Sequence, residues 1–422
     1  MAMNDGKPVS VIAELGRAAR RAAGRLAQCP AADRNRALTG AAEAVRSSAE
    51  QILEANATDF ERARKRGISG AMLDRLVLDK ARLDGIAAGL ETVADLPDPV
   101  GRELARWRQP NGLEISRVAV PIGVIGVVYE SRPNVTADAA ALCLKAGNAV
   151  ILRGGSEAVE SNRAIHAAIV SGLGAAGLDP AIVQMVPDQD RELVGALLAA
   201  HEHVDVIVPR GGRSLVERVQ RDARVPVFAH LDGNNHLYWH GSADPAMAVE
   251  VIANAKMRRP GICGALETLL IDRSCLERLP RLVDELAVLG CEVRGDAEAC
   301  NCDDRIRTAA EADWQTEYLD AVLAIRCVDS PDAAVAHIAR YGSGHTDGIL
   351  ASDPAVVESF LDRVDSAIVV HNASTQFADG GEFGFGAEIG IATGRLHARG
   401  PVGLEQLTTF KYQVRGSGQT RP

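Results

Sequence analysis

The hydrophobic and polar positions of the first hundred residues repeat at the spacing of amphipathic helices. Residues 9–98 are rich in Ala, Arg, Leu and Glu and contain no run that is typical of a strand. Trp107–Ile115 then has a Pro-Asn-Gly turn between two short alternating segments. The pattern predicts a helical N-terminal region followed by a β-hairpin.

From Val124 onwards, short apolar runs alternate with helical stretches of ten or more residues. This alternation predicts βαβ units with parallel sheets, so we expect an α/β fold. The predicted strands are Val124–Tyr129, Ala149–Leu152, Ile182–Val186, Val204–Val208 and Val225–Ala229. A second α/β region, from about Asp232 to residue 395, has strands predicted at Leu266–Ile271, Ala321–Ile325 and Ala367–Val370.

The net charge and the lengths of the apolar runs argue against nucleic-acid-binding and membrane-spanning proteins. The 422 residues include 46 basic and 56 acidic ones, and the net charge of −10 gives no overall attraction to nucleic acid. The longest apolar run, Val118–Val128, is shorter than the ~20 residues that span a bilayer. Residues 10–29 are Arg-rich but include the acidic Glu14, which favours a first helix over a targeting signal. We therefore expect a cytoplasmic protein that binds neither nucleic acid nor membrane.

Cys263 is the cysteine with the most reactive setting in the sequence. It lies between two glycines just before a predicted strand, and Lys256, Arg258 and Arg259 precede it closely. Positive charge lowers the pKa of a thiol and raises the fraction of nucleophilic thiolate. The loop is therefore a candidate for covalent catalysis, although a loop cysteine beside arginines is also common as an inert thiol. Cys300-Asn301-Cys302 is a single C-x-C pair without a second pair of Cys or His ligands, so no metal site is expected.

Two strand-to-helix turns carry a glycine pair, a hydroxyl and arginine, namely Arg153–Ser156 and Arg210–Ser214. Free N–H groups at the start of a helix favour a phosphate there, although such turns also close βα loops without a ligand. Neither turn is the G-x-G-x-x-G fingerprint, and the nearest match, Gly384–Gly390, has the wrong last spacing. Asn134, after the first strand of the sheet, suits either an oxyanion donor or a helix cap.

Four segments carry a resemblance to a known family, and they extend over essentially the whole chain. They are Tyr129–Asp138 with Leu144–Asn148, Ile151–Glu157, Cys263–Leu270 and Glu382–Pro401. Together they resemble the aldehyde dehydrogenase superfamily and, most closely, its gamma-glutamyl phosphate reductase family. The resemblance implies NADPH-dependent reduction of L-glutamyl 5-phosphate to L-glutamate 5-semialdehyde in proline biosynthesis, through a cysteine thioester.

The resemblance also implies roles for individual residues, position by position. Cys263 matches the nucleophile and Asn134 the oxyanion donor. The cofactor-binding positions are Arg153 and Ser156 at the adenosine ribose and its 2′-phosphate, Gly211, Gly212 and Ser214 near the pyrophosphate, and Glu317 at the nicotinamide ribose. Arg258 and Arg132 are candidates for binding the substrate.

The same resemblance implies how the chain is divided. Residues 1–104 and 120–231 would bind NADP(H), residues 232–395 would form the catalytic domain, and residues 105–119 and 396–415 would mediate oligomerisation. We expect a homodimer or homotetramer. Glutamate 5-kinase is a further candidate partner, because acyl phosphates are short-lived.

A few positions depart from the family pattern. Asn234-Asn235 replaces Ile-Cys, Gln376 replaces arginine, and Gly264 replaces asparagine. His230 lies where hydrolytic aldehyde dehydrogenases keep a glutamate base. We expect His230 not to act as a base, because the strand predicted at Val225–Ala229 turns its ring into packing.

Two other functions remain open at this point. The chain is also compatible with a related acyl-phosphate or aldehyde dehydrogenase that has another substrate. A cysteine acyltransferase or hydrolase without nicotinamide would use His230 to activate water or an acceptor, but it would leave the two phosphate-suited turns without a role.

Overall fold

The structure, a computed structural model, describes residues 6–68 and 70–421. In these residues the helices are α1 (Gly6–Leu26), α2 (Ala31–Ser47), α3 (Ala49–Lys65), α4 (Gly70–Leu76), α5 (Lys80–Asp95), α6 (Val135–Lys145), α7 (Val159–Ala175), α8 (Arg191–Ala199), α9 (Arg213–Asp222), α10 (Pro245–Met257), α11 (Leu279–Val288), α12 (Ala297–Cys300), α13 (Pro331–Tyr341) and α14 (Pro354–Arg363). The strands are β1 (Glu103–Arg108), β2 (Glu114–Pro121), β3 (Val124–Tyr129), β4 (Ala149–Gly154), β5 (Val183–Met185), β6 (Val206–Arg210), β7 (Asn235–Trp239), β8 (Leu266–Asp272), β9 (Glu292–Gly295), β10 (Arg307–Thr308), β11 (Val322–Val328), β12 (Thr346–Leu350), β13 (Ile368–His371), β14 (Ile391–Ala392), β15 (Gly400–Pro401) and β16 (Thr408–Arg415).

The chain forms two compact units. The first contains the chain up to Ala229, Gly384–Gly390 and the segment from Val402 onwards, and the second contains His230–Phe383 and Ile391–Pro401. The Gly384–Gly390 loop therefore lies in the first unit, although residues 232–395 were assigned to the catalytic domain. No helix among the described residues is long and apolar enough to cross a membrane.

A four-stranded parallel sheet forms the centre of the first unit, in the order β5-β4-β3-β6. Every residue of β3 is buried, as expected for a parallel strand that helices cover on both faces. Helices α6, α7 and α9 follow β3, β4 and β6. The carboxyl ends of these strands therefore carry the turns that contain Asn134, Arg153 and Gly211, at the edge where such sheets bind ligands.

The strand prediction for Val225–Ala229 is wrong. This segment runs beside β6 but joins it only through an isolated bridge between Ile207 and Val227. Pro226 has no N–H group, so it accepts a hydrogen bond from Ile207 but donates none to the sheet. An apolar run thus remains extended without becoming a strand.

The predicted hairpin is confirmed, and the structure adds a third strand to it. β1 pairs antiparallel with β2, and the C-terminal strand β16 pairs antiparallel with the other edge of β2. Gly112 in the turn has φ +88°, a conformation that favours glycine. Trp107, Phe410 and Tyr412 are exposed on this sheet. Its assignment to oligomerisation stays a prediction.

The second unit is built on seven parallel strands in the order β10-β9-β11-β8-β7-β12-β13. The predicted strands at β8, β11 and β13 are confirmed, with ends that differ by at most three residues. β7 and β12 were not predicted, because they include buried polar residues such as Asn235, His236 and Asp347. The two parallel sheets confirm the α/β fold class.

Candidate active site

Cys263 lies on the loop that joins α10 to β8 in the second unit, and it is partly exposed. The backbone passes very close to Gly233, where a Cβ atom would come within 2.0 Å of the Cys263 carbonyl oxygen. Only glycine leaves room for that approach. The candidate nucleophile loop, residues 258–265, is thus fixed against the segment that precedes β7.

Asn235 fixes the backbone of the nucleophile loop by hydrogen bonds. Its Nδ2 donates to the carbonyl oxygens of Cys263 and Ala265, both at 2.7 Å, and its Oδ1 accepts from the backbone N–H of Thr346 at 3.1 Å. Asn235 is fully buried, so these bonds have no competition from solvent. The sequence marked this asparagine only as a departure from the family pattern, whereas the structure shows that it holds the loop.

Gln376 contacts the end of α10, just before this loop. Its Nε2 donates to the carbonyl oxygen of Ala255 at 2.8 Å, near the end of α10, and its Oε1 accepts from Nη1 of Arg258 at 3.3 Å. Arg258, a predicted substrate residue, is therefore oriented by Gln376. A Cβ at Gly264 would meet its nearest neighbour only at 3.5 Å, so no close contact requires glycine there.

The expectation that the His230 ring is turned into packing is wrong. His230 Nδ1 hydrogen-bonds the carbonyl oxygen of Ile391 at 2.9 Å. A ring nitrogen of His230, a ring nitrogen of His345 and Sγ of Cys263 lie within 4.8 Å of one another. The reason for excluding His230 as a base therefore does not hold. The sequence could not foresee the cluster, because its members are far apart along the chain.

Two acidic residues lie near the nucleophile loop in the second unit. Glu317, the predicted nicotinamide-ribose residue, accepts the backbone N–H of Gly233 at 2.8 Å. Glu267 on β8 pairs with Lys256 at 2.6 Å, and both side chains are fully buried. Burial raises the pKa of Glu267 to about 7, and the adjacent Lys256 ammonium opposes that rise.

In the first unit, Arg153 of the Arg153–Ser156 turn has charged neighbours of both signs. Arg153 donates to the carbonyl oxygens of Gly154 at 2.9 Å and Gln189 at 3.0 Å. Its buried Nε has no hydrogen-bond partner in the part of the chain that the structure describes. Burial lowers the pKa of Arg153. The carboxylates of Glu157 and Glu130 oppose this shift, and the positive charges of Arg218 and Arg191 add to it. The sequence did not single out these two arginines, because they come from different helices. Ser156 is exposed.

The Gly211-Gly212 turn differs from an open phosphate cradle. The N–H of Gly212 donates to Oε2 of Glu130 at 3.1 Å, and a Cβ at Gly211 would come within 2.5 Å of that oxygen. Burial raises the pKa of Glu130, and the nearby charge of Glu157 adds to the rise. Ser214 is exposed in the first turn of α9. An anion at this turn would therefore have to replace the Glu130 carboxylate.

Asn134 lies at the N-cap position of α6, but its side chain makes no capping hydrogen bond. Its Nδ2 donates to Oδ2 of Asp138 at 2.8 Å, and burial raises the pKa of Asp138 to about 6. Asn134, Asp138 and Arg132 line a cleft of about 400 Å³ in the first unit, together with Arg75 and Arg82. The two predicted catalytic residues thus belong to different units, Asn134 to the first and Cys263 to the second.

Comparison with known proteins identifies the family. The aldehyde dehydrogenase family model matches residues 9–291. A gamma-glutamyl phosphate reductase of Rhizorhabdus wittichii is 61% identical over 98% of this chain and 96% of its own, and one of Sphingopyxis alaskensis is 62% identical over 99% and 97%. A crystal structure of gamma-glutamyl phosphate reductase from Thermotoga maritima matches with a TM-score of 0.95 and 43% identity, over 97% of this chain and 100% of that one. The chain therefore belongs to the aldehyde dehydrogenase family, among its gamma-glutamyl phosphate reductases. It is an oxidoreductase, as the resemblance predicted.

Proposed function

We propose that the protein catalyses the NADPH-dependent reduction of L-glutamyl 5-phosphate to L-glutamate 5-semialdehyde and phosphate, a step of proline biosynthesis. Identities of 61% and 62% to gamma-glutamyl phosphate reductases, over nearly the full chain, support this substrate. The observation that carries the chemistry is the nucleophile loop. A partly exposed thiol, Cys263, lies on a backbone that Asn235 holds from the protein interior.

In this proposal the Cys263 thiolate attacks the acyl carbon, the bond from that carbon to the phosphate oxygen breaks, and phosphate leaves with the electron pair. The acyl group is then held on Sγ as a thioester. NADPH, when bound, supplies the hydride that brings the acyl carbon to the aldehyde level. Cys263 then leaves as thiolate. We assign Asn134 and the backbone N–H of Cys263 to the oxyanion.

Arg153, among the candidate cofactor residues, is suited to a nucleotide that carries a 2′-phosphate. Arg153 is held by two backbone carbonyls, and Arg191 and Arg218 are close enough to influence its pKa. Its buried and unpartnered Nε, as far as the described residues go, is a donor suited to an anion. Glu317 keeps its assignment to the nicotinamide ribose as a prediction from the family.

Anion binding near the thiol is assigned to Arg258, and Arg132 in the first unit is a second candidate. Gln376 orients the Arg258 guanidinium at 3.3 Å, and a fixed guanidinium recognises carboxylate or phosphate by paired hydrogen bonds. Oligomerisation through the three-stranded sheet and association with glutamate 5-kinase remain predictions.

The decisive assay runs the reaction in reverse, because the acyl phosphate is short-lived. L-glutamate 5-semialdehyde, NADP⁺ and inorganic phosphate are incubated with the enzyme, and the absorbance of the reduced nicotinamide is followed. We expect turnover only when phosphate is present. Glutarate semialdehyde, which differs only in lacking the amino group, is the matched substrate control and should react much more slowly.

Each alternative function gives a different result in this assay. Oxidation without phosphate would indicate a hydrolytic aldehyde dehydrogenase. Equal turnover of glutarate semialdehyde would indicate another substrate. No nicotinamide turnover, with ester hydrolysis at Cys263, would indicate an acyltransferase or hydrolase.

A further inference from the structure

The cluster of His230, Cys263 and His345 contains a feature that the proposed reaction does not use. His345 is fully buried, and its Nδ1 hydrogen-bonds Oγ1 of Thr346 at 2.9 Å. Its Nε2 is buried without a hydrogen-bond partner anywhere in residues 6–68 and 70–421. A buried polar atom without a partner is costly, which points to a ligand that the atom can bind.

One ring nitrogen of His230 is bound to a backbone carbonyl, as is common in metal-binding histidines. Its Nδ1 donates to the carbonyl oxygen of Ile391 at 2.9 Å, which leaves the lone pair on Nε2. The His230 and His345 rings meet edge to face with centroids 5.0 Å apart. A backbone carbonyl on the far nitrogen is the usual way in which a protein orients an imidazole towards a metal.

The three side chains match the chemistry of Zn²⁺. Thiolate sulfur and imidazole nitrogen are its preferred ligands, and tetrahedral sites place them about 3.3–3.6 Å apart. The ligand atoms here lie within 4.8 Å of one another, so a shift of about 1 Å closes the site. The partial exposure of Cys263 gives an ion access from solvent.

We infer that Cys263, His230 and His345 form a Zn²⁺ site in which the metal binds the nucleophile itself and reversibly stops the reaction. On binding, the Cys263 S–H bond breaks, the proton goes to solvent, and both electrons of the sulfur lone pair form the Zn–S bond. Two neutral imidazoles and one water complete the coordination. The loss of activity rests on the proposed function, whereas metal binding does not.

The first experiment needs no variant. Metal-free protein is treated with iodoacetamide with and without Zn²⁺, and the alkylation of each cysteine is followed by peptide mass spectrometry. We expect Zn²⁺ to slow the alkylation of Cys263 by about tenfold or more, because the reagent attacks the free thiolate. Cys302 should be alkylated at the same rate in both samples. An unchanged rate at Cys263 would overturn the inference.

The second experiment tests the histidines. Zn²⁺ affinity is measured by competition with a chromophoric chelator for the unchanged protein, His345→Ala, His230→Ala and Cys302→Ser, each first shown to be folded by its thermal transition. We expect both histidine variants to bind at least about tenfold more weakly, since even outer-shell changes cost that much. Cys302→Ser should bind like the unchanged protein. Equal affinity in all four proteins, or a loss confined to Cys302→Ser, would contradict the site.

A third measurement separates the site from the function. Co²⁺ bound to the unchanged protein should give a near-ultraviolet thiolate charge-transfer band, which Cys263→Ser should lose. If that band forms but the enzyme shows no reductase activity, the metal site stands and the proposed function fails. If the enzyme is active and Co²⁺ gives no thiolate band, the function stands and the metal site fails.

Discussion

In the first unit, five candidate cofactor residues lie on turns at the carboxyl ends of two parallel strands, β4 and β6. Their positions follow from local geometry, since each turn lies between a strand and the helix that comes next. In the second unit, Cys263 lies on a loop that is held by side chains from distant parts of the chain. Asn235 holds the loop through two hydrogen bonds to its backbone carbonyls, and Gln376 holds the end of α10, which leads into the loop, through bonds to the carbonyls of Ala255 at 2.8 Å and Asn254 at 3.4 Å.

This difference predicts how each region responds to mutation. A turn that is fixed by the adjacent strand and helix keeps its shape when one side chain is removed. Only the contacts between that side chain and its ligand are lost. A loop held by buried amides loses both stability and geometry when an amide is removed, because the carbonyl oxygens are left without partners. Substitutions in the first unit should therefore change cofactor affinity, and those in the second unit should change turnover.

The largest effect is expected at Cys263 itself. Cys263→Ala removes the nucleophile and should lower kcat by at least about a thousandfold, because a covalent route is lost. Thermal stability and NADPH binding should be unchanged, as measured by calorimetry and fluorescence titration. Cys302→Ala is the matched control and should keep near-normal activity. Turnover of more than a few percent of the original would show that Cys263 is not the nucleophile.

The second prediction concerns the support of the loop. Asn235→Ala leaves the carbonyls of Cys263 and Ala265 without their buried donor, which should lower the free energy of unfolding by about 2–4 kcal/mol. The loop also loses its position, so kcat should fall while the Kd of NADPH stays constant. Denaturant titration and steady-state kinetics measure the two effects.

Asn234→Ala is the matched control for that change. Asn234 is also buried, but its Nδ2 donates to the carbonyls of Trp314 at 2.9 Å and Tyr341 at 2.8 Å rather than to the nucleophile loop. Asn234→Ala should lower the free energy of unfolding by about as much as Asn235→Ala does, but it should lower kcat less. Equal losses of kcat in both variants would show that stability alone, and not positioning, explains the result.

The third prediction moves to the first unit. Arg153→Ala should weaken NADPH binding by about tenfold to a hundredfold and NADH much less, since a charge-assisted bond to the 2′-phosphate contributes about 1.5–3 kcal/mol. Stability should change little. Arg221→Ala, an exposed arginine of α9, is the control and should leave both affinities unchanged. Equal losses for NADPH and NADH would show that Arg153 does not contact the 2′-phosphate.

The same contrast explains what the sequence could predict. The four strands of the parallel sheet in the first unit and the turns that follow β4 and β6 were predicted because apolar runs and glycine pairs are local signals. β7 was not, because Asn235 and His236 make a central strand look polar, although both are fully buried and paired with distant groups. The His230–His345 proximity is likewise a product of the fold. The spacing of residues along the chain does not predict such contacts.

The smallest predicted effect concerns the pH dependence of stability at Asp138. There the first unit resembles the second, because one side chain holds a candidate site residue through a hydrogen bond. Asp138 in the first unit holds a functional side chain, Asn134, through a carboxyl whose pKa burial raises to about 6. In the unfolded chain that pKa is about 3.9. Since the folded pKa is the higher one, the associated stability is present below about pH 4 and is lost as the pH rises through about 6.

Asp138→Asn removes this titration while keeping an oxygen that can accept from Asn134. The Tm of the variant minus the Tm of the unchanged protein should therefore increase by a few degrees as the pH rises from 4.5 to 7.5. Above pH 7.5 this difference should be constant. Asp84→Asn, at an exposed position of α5, should show no such trend. A Tm difference that does not change with pH would mean that solvent, and not the protein interior, surrounds Asp138. Asn134 would then be held as loosely as the other turn residues of the first unit, and the contrast with the Cys263 loop would be complete.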